Sequence, residues 1–260
     1  MAKSDTVSLS VIKRLPRYYR FLGELLKSGV NRISSRELAQ IMRLTASQIR
    51  QDLNCFGGFG QQGYGYNVSA LHGEIGNILG LNLGVKTILI GAGNLGRTIA
   101  THMDFENKGF DLIGIFDKNS EVIGRRVRGL PIRDVSDLTA FCQQYRPKMA
   151  VLCIPKEAAQ EIADLLVGLG IRGFWNFSHY DLAVNYDSIV VENVHLGDSL
   201  MTLSYRVKDL AEGRQRGGAE IAPPSPQNKT LPGLGRVFSI PGWPPFSNCL
   251  RPWRGRRTPP

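Results

Sequence analysis

A glycine-rich hexapeptide near the middle of the chain has the spacing of a phosphate-binding turn. Its sequence, Gly91-Ala92-Gly93-Asn94-Leu95-Gly96, matches G-x-G-x-x-G. In such a turn the first glycine permits the bend, the second lets a pyrophosphate approach the backbone, and the third lets helix and strand pack closely. The start of the following helix supplies N–H donors and a positive dipole end for the phosphates. The spacing alone is a weak signal, because a glycine-rich turn that binds nothing has the same pattern.

An acidic residue stands where a dinucleotide turn needs one. Asp117 closes the next predicted strand, 24 positions after Gly93, and would accept hydrogen bonds from ribose hydroxyls while repelling a 2′-phosphate. This favours NAD(H) over NADP(H), although Lys118 beside it and the nearby Arg125 and Arg126 weaken the discrimination. The residues that we expect to bind the cofactor are Gly91, Ala92, Gly93, Asn94, Leu95, Gly96, Asp117, Lys118, His102, Ile154 and Pro155.

Two histidines could add a titratable group to this site. His102 lies on the helix after the turn and could face the nicotinamide, and His195 follows the last predicted strand. A lone histidine is more often a satisfied structural residue. If the two meet near a cofactor, however, ligand binding becomes sensitive to pH, because imidazoles titrate near neutrality.

The pattern lacks the residues of a hydride-transfer enzyme. After residue 85 there is no Tyr-x-x-x-Lys, no cysteine with a local histidine and no other acid–base constellation. The four cysteines stand alone without a C-x-x-C, which predicts reduced thiols rather than a disulfide framework or a metal site. We therefore expect no catalytic residues and no metal.

A second set of residues, in the first quarter of the chain, has the chemistry of DNA recognition. A helix predicted over 46–53 presents Ser47, Gln48, Arg50 and Gln51 outward, and such side chains read base edges, arginine at guanine and glutamine at adenine. Arg14, Arg17, Arg20, Lys27 and Arg43 would meet phosphates. The glycine-rich stretch from Gly57 to Tyr66 predicts a hairpin that contributes Gln61, Gln62 and Tyr66. The alternative is an ordinary three-helix fragment with solvated arginines.

Local signals predict the elements that carry these residues. Pro16 opens a first helix that Gly29 ends, Ser34 and Glu37 have the spacing of a capping box, and Thr45 is a candidate N-cap of the helix over 46–53. Two short helices with a tight turn, followed by a hairpin, indicate a winged helix-turn-helix.

Beyond residue 85, apolar runs alternate with amphipathic segments, which predicts a parallel sheet with crossover helices. The predicted strands are Thr87 to Ile90, Leu112 to Phe116, Met149 to Ile154, Gly173 to Asn176 and Ser188 to Glu192. The predicted helices are 95–105, 135–144 and 156–169. The G-x-G-x-x-G lies at the first strand-to-helix junction, the context that the motif requires.

Composition places the charges at the two ends of the chain. The 260 residues carry a formal net charge of +10. Residues 1–67 hold ten Lys/Arg against four Asp/Glu, and residues 213–260 hold eight against one. Ten of the 14 prolines also lie in 213–260, which favours a disordered extension over a nucleic-acid-binding arm. We expect a DNA-binding domain over 1–80, a Rossmann domain over 81–212 and a tail over 213–260.

No apolar run approaches the length of a membrane span, and the first twelve residues lack the apolar core of a secretory signal. We therefore expect a cytoplasmic protein that does not bind a membrane. A mildly acidic middle between basic ends suits a protein that recognises a small molecule and meets a polyanion elsewhere.

The order of these motifs resembles the Rex family of bacterial redox-sensing transcriptional repressors. The resemblance runs from about Ile12 to Lys208, roughly three quarters of the chain. The most specific stretches are Gln48 to Tyr66, Gly91 to Arg97, Gly129 to Ile132, Gly173 to Phe177, and the closing Val191-Glu192-Asn193-Val194 with Leu203-Ser204-Tyr205.

The resemblance implies an α/β fold in which a winged-helix domain precedes a Rossmann domain. It also implies a homodimer that binds a double-stranded inverted-repeat operator, is released by NADH, and senses NADH and NAD+ in competition. A C-terminal helix over about Leu196 to Ala211 would swap across the dimer.

The chain departs from the resemblance at two places. The wing of relatives usually carries basic residues where this chain has Gln61 and Gln62. Relatives also tend to have a tyrosine near the position of His102 and an aspartate near that of His195, a pair tied to sensing the charge of the nicotinamide. Two alternatives therefore stay open: an NAD-dependent oxidoreductase with a basic N-terminal dimerisation domain, and a repressor that senses another nucleotide.

Overall fold

The structure, a computed structural model, describes residues 7–57, 60–61, 65–182 and 189–212. The predicted tail over 213–260 and the wing residue Gln62 lie outside these ranges. None of the helices in the described residues is both long enough and apolar enough to cross a membrane.

Short helices and a three-stranded antiparallel sheet make up the N-terminal part. In chain order the elements are α1 (Leu9–Ile12), α2 (Leu15–Lys27), β1 (Arg32–Ile33), α3 (Ser35–Met42), α4 (Ala46–Asn54), β2 (Gly60–Gln61), β3 (Gly65–Asn67) and α5 (Val68–Ile78). The sheet has the order β1-β3-β2. Helices α3 and α4 form the predicted helix-turn-helix, and β2 and β3 form the predicted hairpin.

The predicted helix caps are confirmed. The Ser34 hydroxyl accepts from the backbone N–H of Glu37, whose carboxylate accepts from the Ser34 N–H at 2.8 Å. The Thr45 hydroxyl accepts from the backbone N–H of Gln48 at 3.1 Å. Each cap satisfies an N–H that has no partner inside its helix, so α3 and α4 begin where the sequence predicted.

Helix α5 was not predicted, because Gly73 and Gly76 lower the helix propensity of its sequence. Close packing explains the glycine at position 76, because a Cβ there would lie 3.2 Å from Cε2 of Tyr19 on α2. Helices α2 and α5 thus pack closely, and the core beneath them is apolar. Its buried members are Leu15, Tyr18, Leu22, Leu38, Met42, Ile49, Leu53, Tyr66, Leu71 and Ile75, among others.

A seven-stranded sheet organises the rest of the described chain. The elements are β4 (Val85–Ile90), α6 (Asn94–His102), β5 (Phe110–Asp117), β6 (Arg126–Val127), β7 (Leu130–Asp134), α7 (Leu138–Tyr145), β8 (Met149–Leu152), α8 (Lys156–Gly168), β9 (Gly173–Asn176), β10 (Val190–Asn193) and α9 (Leu196–Ala211). Single 3₁₀ turns occupy Glu106–Lys108 and Val135–Asp137. The strand order is β10-β9-β8-β4-β5-β7-β6, with all pairs parallel except β6 with β7.

All five predicted strands are present. Gly173–Asn176 has the predicted boundaries, and the other four differ by one or two residues at an end; Ser188, the predicted start of the last strand, lies outside the described residues. The hairpin of β6 and β7 was not predicted, because its strands are short and are joined at Gly129. Helix α6 ends at His102 rather than at residue 105.

Alternate residues of the central strand pack on opposite faces of the sheet. Ile88 and Ile90 contact one cluster, which includes Phe116 and Phe141, whereas Leu89 contacts another with Ile99. A strand buried on both faces explains the continuous apolar run of β4.

Candidate dinucleotide and DNA sites

The G-x-G-x-x-G connects the carboxyl end of β4 to α6, and its three glycines have different surroundings. Gly91 has φ +96°, and a Cβ there would overlap the carbonyl oxygen of Cys153. A Cβ on Gly96 would overlap the carbonyl oxygen of Gly91. A Cβ on Gly93 would meet no heavy atom within 4 Å. Gly91 and Gly96 are therefore needed for packing, whereas Gly93 borders open space.

That open space lies at the start of a helix. Gly93 is the N-cap residue of α6, and no side chain caps this helix. Asn94 and Leu95, which follow Gly93, are exposed, whereas Ala92 is buried. The first N–H groups of a helix bind anions readily, so this position fits a pyrophosphate.

Asp117, at the carboxyl end of β5, lies beside the turn. Its Oδ2 accepts a hydrogen bond from the backbone N–H of Ala92, and its Oδ1 accepts from the N–H of Asn119 at 2.8 Å. The carboxylate is half-buried, and the neighbouring Lys118 is exposed. The structure therefore brings the glycine turn and the acidic residue together, as the dinucleotide motif requires.

Strand β8 lies on the opposite side of β4 from β5, and a crevice forms where the carboxyl ends of these strands meet. Residues of β4 pair in parallel with β5 on one side and β8 on the other, so the order of strands reverses here. Ligands of open α/β sheets bind at this switch point. Ile154 and Pro155 follow β8, and Ile154 Cγ2 would lie 3.0 Å from a Cβ on Gly91. Ile154 thus borders the turn, and Pro155 is the N-cap residue of α8.

Within one copy of the chain, the two histidines singled out in the sequence do not pair with each other. His102 is exposed in the last turn of α6, about 12 Å along the helix from its start at 1.5 Å per residue. His195 precedes α9 and stacks on His179 instead, with ring centroids 5.7 Å apart. The sequence did not single out His179, because nothing in the spacing of these two residues predicts their contact.

The thiols near the sheet are not activated. Burial raises the pKa of Cys153 to about 12 and that of Cys142 to about 11. Since the thiolate is the nucleophile, both side chains are unreactive at neutral pH.

The exposed face of α4 carries polar side chains. Ser47, Arg50, Gln51 and Asn54 are exposed and follow one another at helical spacing. Arg50 Nη1 donates to the hydroxyl of Ser35 at 3.1 Å, a contact on the surface. Asn54 was not singled out from the sequence, although it extends the same face by one turn.

Arg14 is half-buried and has a structural partner. Its Nε and Nη2 donate to the two carboxylate oxygens of Asp52, each at 2.7 Å. Asp52 is fully buried and also accepts from the hydroxyl of Tyr18 at 2.9 Å and from Nε2 of Gln48 at 2.8 Å. Arg14 thus holds α4 against the start of α2, and its contact with a phosphate stays a prediction.

The pKa values of this buried cluster follow from its contacts. Burial by itself would raise the pKa of Asp52, but the hydrogen bonds from Arg14, Gln48 and Tyr18 outweigh burial and hold the pKa below its usual range. The hydrogen bond from Arg14 in turn raises the pKa of that guanidinium. Asp52 is thus an ionised acceptor of hydrogen bonds beneath α4.

Three further residues that were predicted to contact DNA are Arg17, Tyr66 and Gln61. Arg17 is half-buried and donates to the carbonyl oxygen of Met42 at the end of α3. Tyr66 is only 8% exposed and belongs to the apolar core, so the structure does not support it as a DNA contact. Gln61 lies on β2, where it pairs with Gly65.

Comparison with known proteins places both parts of the chain. Residues 6–54 match a family model described as the N-terminus of a putative DNA-binding protein, and residues 84–180 match one described as a CoA binding domain. The redox-sensing transcriptional repressor Rex of Thermoanaerobacter sp. (strain X514) is 54% identical over 209 residues, which cover 80% of this chain and 93% of that protein. Rex of Clostridium acetobutylicum is 48% identical, over 82% of this chain and 100% of that protein.

Solved structures agree. RSP in complex with β-NAD+ and operator DNA matches with a TM-score of 0.74 and 51% identity, over 82% of this chain and 100% of that one. RSP in complex with β-NADH matches with a TM-score of 0.74 and 49% identity, over 81% of this chain and 99% of that one. RSP is described as a Rex-family repressor. The chain therefore belongs to the Rex family of redox-sensing transcriptional repressors.

Proposed function

We propose that this chain represses transcription by binding operator DNA through α4 and that NADH, bound at the turn between β4 and α6, releases the DNA. The observation that carries the proposal is the different surroundings of the three motif glycines. A Cβ on Gly91 or Gly96 would clash with the chain itself, whereas Gly93 borders open space at an uncapped helix start. A ligand with a pyrophosphate explains why glycine stands there.

The residues around the turn suit NAD(H). The helix start and Gly93 would hold the pyrophosphate, Asp117 would accept from the adenosine ribose, and Ile154 and Pro155 would border the rest of the dinucleotide. NADH and NAD+ differ in the charge of the nicotinamide, and that difference is what a redox sensor reads. RSP supports this assignment, because its structures contain β-NAD+ with operator DNA and, separately, β-NADH.

The proposal includes binding without turnover. The Rex relatives are regulators by name, and the buried thiols of Cys142 and Cys153 are protonated at neutral pH. We place the protein in the cytoplasm, where bacterial DNA and NAD(H) occur together, with functional regions 1–80, 81–212 and 213–260.

Helix α9 supports the proposal of a homodimer. None of its residues is buried, and five apolar side chains spaced three or four positions apart are between 54% and 73% exposed: Leu196, Leu200, Leu203, Val207 and Leu210. Exposed stripes of this kind mark interaction sites.

An apolar hollow of about 470 Å³ on the sheet offers a surface for α9. Its lining includes Met103, Phe105, Phe110, Met149, Phe174 and Trp175. We propose that α9 of a second copy covers this hollow. Such an exchange would link the cofactor domain of one copy to the DNA-binding domain of the other. The two α4 helices of the dimer would then read half-sites one helical turn apart.

The switch requires a difference in ligand affinity between two arrangements of the dimer. A 100-fold preference of NADH for the arrangement that does not fit DNA supplies about 2.7 kcal/mol.

Fluorescence anisotropy of the purified chain on the inverted repeat upstream of its own gene tests the proposal. NADH, NAD+ and NADPH are added separately at one fixed salt concentration, because phosphate contacts make DNA affinity depend on salt. We expect NADH to release the DNA and NAD+ not to do so. Specific DNA binding that no dinucleotide alters would instead indicate a repressor that senses another ligand.

Two variants separate the sites. Gly93→Val should lose NADH affinity by at least about tenfold and keep DNA binding, since a Cβ at this position meets no heavy atom of the chain within 4 Å and the side chain would enter the ligand's space. Arg50→Ala should lose specific DNA binding and keep NADH. Gly96→Val is the control for misfolding, because its side chain overlaps the backbone. Loss of both ligands by both test variants would contradict the assignment of two separate sites. Turnover of NADH with a small carbonyl compound would instead favour the oxidoreductase alternative.

A further inference from the structure

Gln48 occupies a position from which a recognition helix reads DNA. It is the third residue of α4, and its backbone N–H is held by the Thr45 cap. The first turn of such a helix is the part that contacts base edges in the major groove. The side chain of Gln48 is half-buried, and its Nε2 donates to Oδ1 of Asp52, one helical turn further along, at 2.8 Å.

The partner of Gln48 is rigid and can only accept. Asp52 is fully buried. Tyr18 of α2 and Arg14, which directly precedes α2, donate hydrogen bonds to its two carboxylate oxygens. An ionised carboxylate has no proton to donate. If the amide of Gln48 flipped, its oxygen would face Oδ1 of Asp52, and two acceptors would oppose each other at hydrogen-bond distance.

The fixed amide leaves a defined pair of groups for the DNA. One N–H of Gln48 is used by Asp52, so Oε1 and the second N–H remain. Adenine presents an N6 donor and an N7 acceptor in the major groove, the complement of that pair. A flipped amide would exchange donor and acceptor and would no longer match.

We propose that Gln48 reads an adenine in each half-site and that Asp52, which lies beneath α4, is the positioning residue that sets the orientation of its amide. This inference rests on the proposed function, because it requires α4 to lie in the major groove.

Burial of a charge at position 52 is otherwise hard to explain by stability. Buried ion pairs are often replaced by apolar residues of similar volume without loss of stability. An acceptor that cannot donate suits both the guanidinium of Arg14 and the amide of Gln48.

Operator variants provide the test. Each A·T pair of the operator is changed in turn to G·C, together with the symmetry-related pair in the other half-site. The full chain is then titrated on every duplex without NADH at fixed salt. The wild type should lose roughly tenfold or more in affinity at one symmetric pair, as is usual for a lost base contact. Gln48→Ala should lower that loss to within about threefold at the same pair and leave the other pairs unchanged.

Asp52→Asn is the decisive variant, because an asparagine amide can either accept or donate. It should lose the same preference at the same pair, while binding to unrelated DNA and its dependence on salt stay as in the wild type. The double variant Gln48→Ala/Asp52→Asn should show no further loss of discrimination. Tyr18→Phe is the matched control, since it removes one hydrogen bond to Asp52 but keeps the acceptor facing Gln48, and it should retain the preference.

A purely structural role would give a different result. If Asp52→Asn lowers affinity for all duplexes equally and keeps the preference, the proposal is overturned, as it is if Gln48→Ala has the wild-type pattern. If Asp52→Asn does not fold, the double variant Arg14→Gln/Asp52→Asn replaces it in the test, because it also removes the arginine charge that Asp52→Asn leaves unpaired. Absence of specific DNA binding by the wild type would instead refute the proposed function.

Discussion

At the scale of single residues, the glycines of the dinucleotide motif show that one spacing serves two purposes. Gly91 and Gly96 are required by the chain, because their missing side chains make room for backbone atoms of Cys153 and Gly91. Gly93 is required only if something else fills the space beside it. This distinction separates packing from ligand binding, and the G-x-G-x-x-G pattern alone does not contain it.

A single histidine should make the stability of the DNA-binding domain depend on pH. His72 of α5 stacks on Tyr19 of α2 with ring centroids 4.0 Å apart, and burial lowers the pKa of His72. Charged groups of Arg20, Glu24, Lys27 and Lys108 line a surface hollow that also includes His72. The unfolded chain then binds the proton more readily than the folded chain, so stability falls as pH drops from about 7 towards 5.

Urea unfolding at pH 7 and pH 5.5 measures this effect. One proton contributes at most about 1.4 kcal/mol per pH unit. His72→Phe keeps a ring against Tyr19 and should flatten the dependence on pH. The carboxyls of Asp52 and Glu37 have lowered pKa values, so the stability that these carboxylates contribute is lost only at more acidic pH. An equal pH dependence in the wild type and in His72→Phe would refute the role of His72.

At the scale of elements, the start of α4 combines a helix cap with the residue that we propose to read the DNA. Thr45 caps the helix by accepting from Gln48, and Gln48 is the residue whose amide we assign to the DNA. Thr45→Ala should cost about 1 kcal/mol of unfolding free energy, whereas Thr45→Ser should cost little because it keeps the hydroxyl. Thermal unfolding and anisotropy on operator DNA measure the two effects. If Thr45→Ala is as stable as Thr45→Ser, the cap does not hold the helix.

At the scale of the whole molecule, α9 leaves an apolar stripe in solvent and the sheet leaves an apolar hollow open. If α9 of a second copy covers the hollow, Leu203→Asp should shift the chain from dimer to monomer and weaken operator binding by at least about tenfold. Light scattering coupled to gel filtration measures the mass. Ser204→Asp, which places the same charge next to the stripe, should leave the dimer intact. A wild-type chain that is monomeric would contradict the exchange of α9.

The sequence by itself determined the features that depend on neighbours along the chain. The caps at Ser34 and Thr45, the alternation of strands with helices and the spacing of the glycines are local, and local hydrogen bonds and periodicity reproduce them in the structure. These features sufficed to indicate a helix-turn-helix before a Rossmann sheet, because each motif fits within a few turns of chain.

Only the tertiary structure decided which side chains face a ligand and which face the protein. Arg14 and Asp52 are 38 positions apart, and no periodicity predicts that they pair. Tyr66 follows a polar, glycine-rich stretch but is buried by the helices packed on its strand. His195 contacts His179 rather than His102, because the ends of the strands and the start of α9, not spacing along the chain, set which rings meet. Long-range packing therefore gives Arg14 a structural role, as the support of α4, that the sequence did not predict.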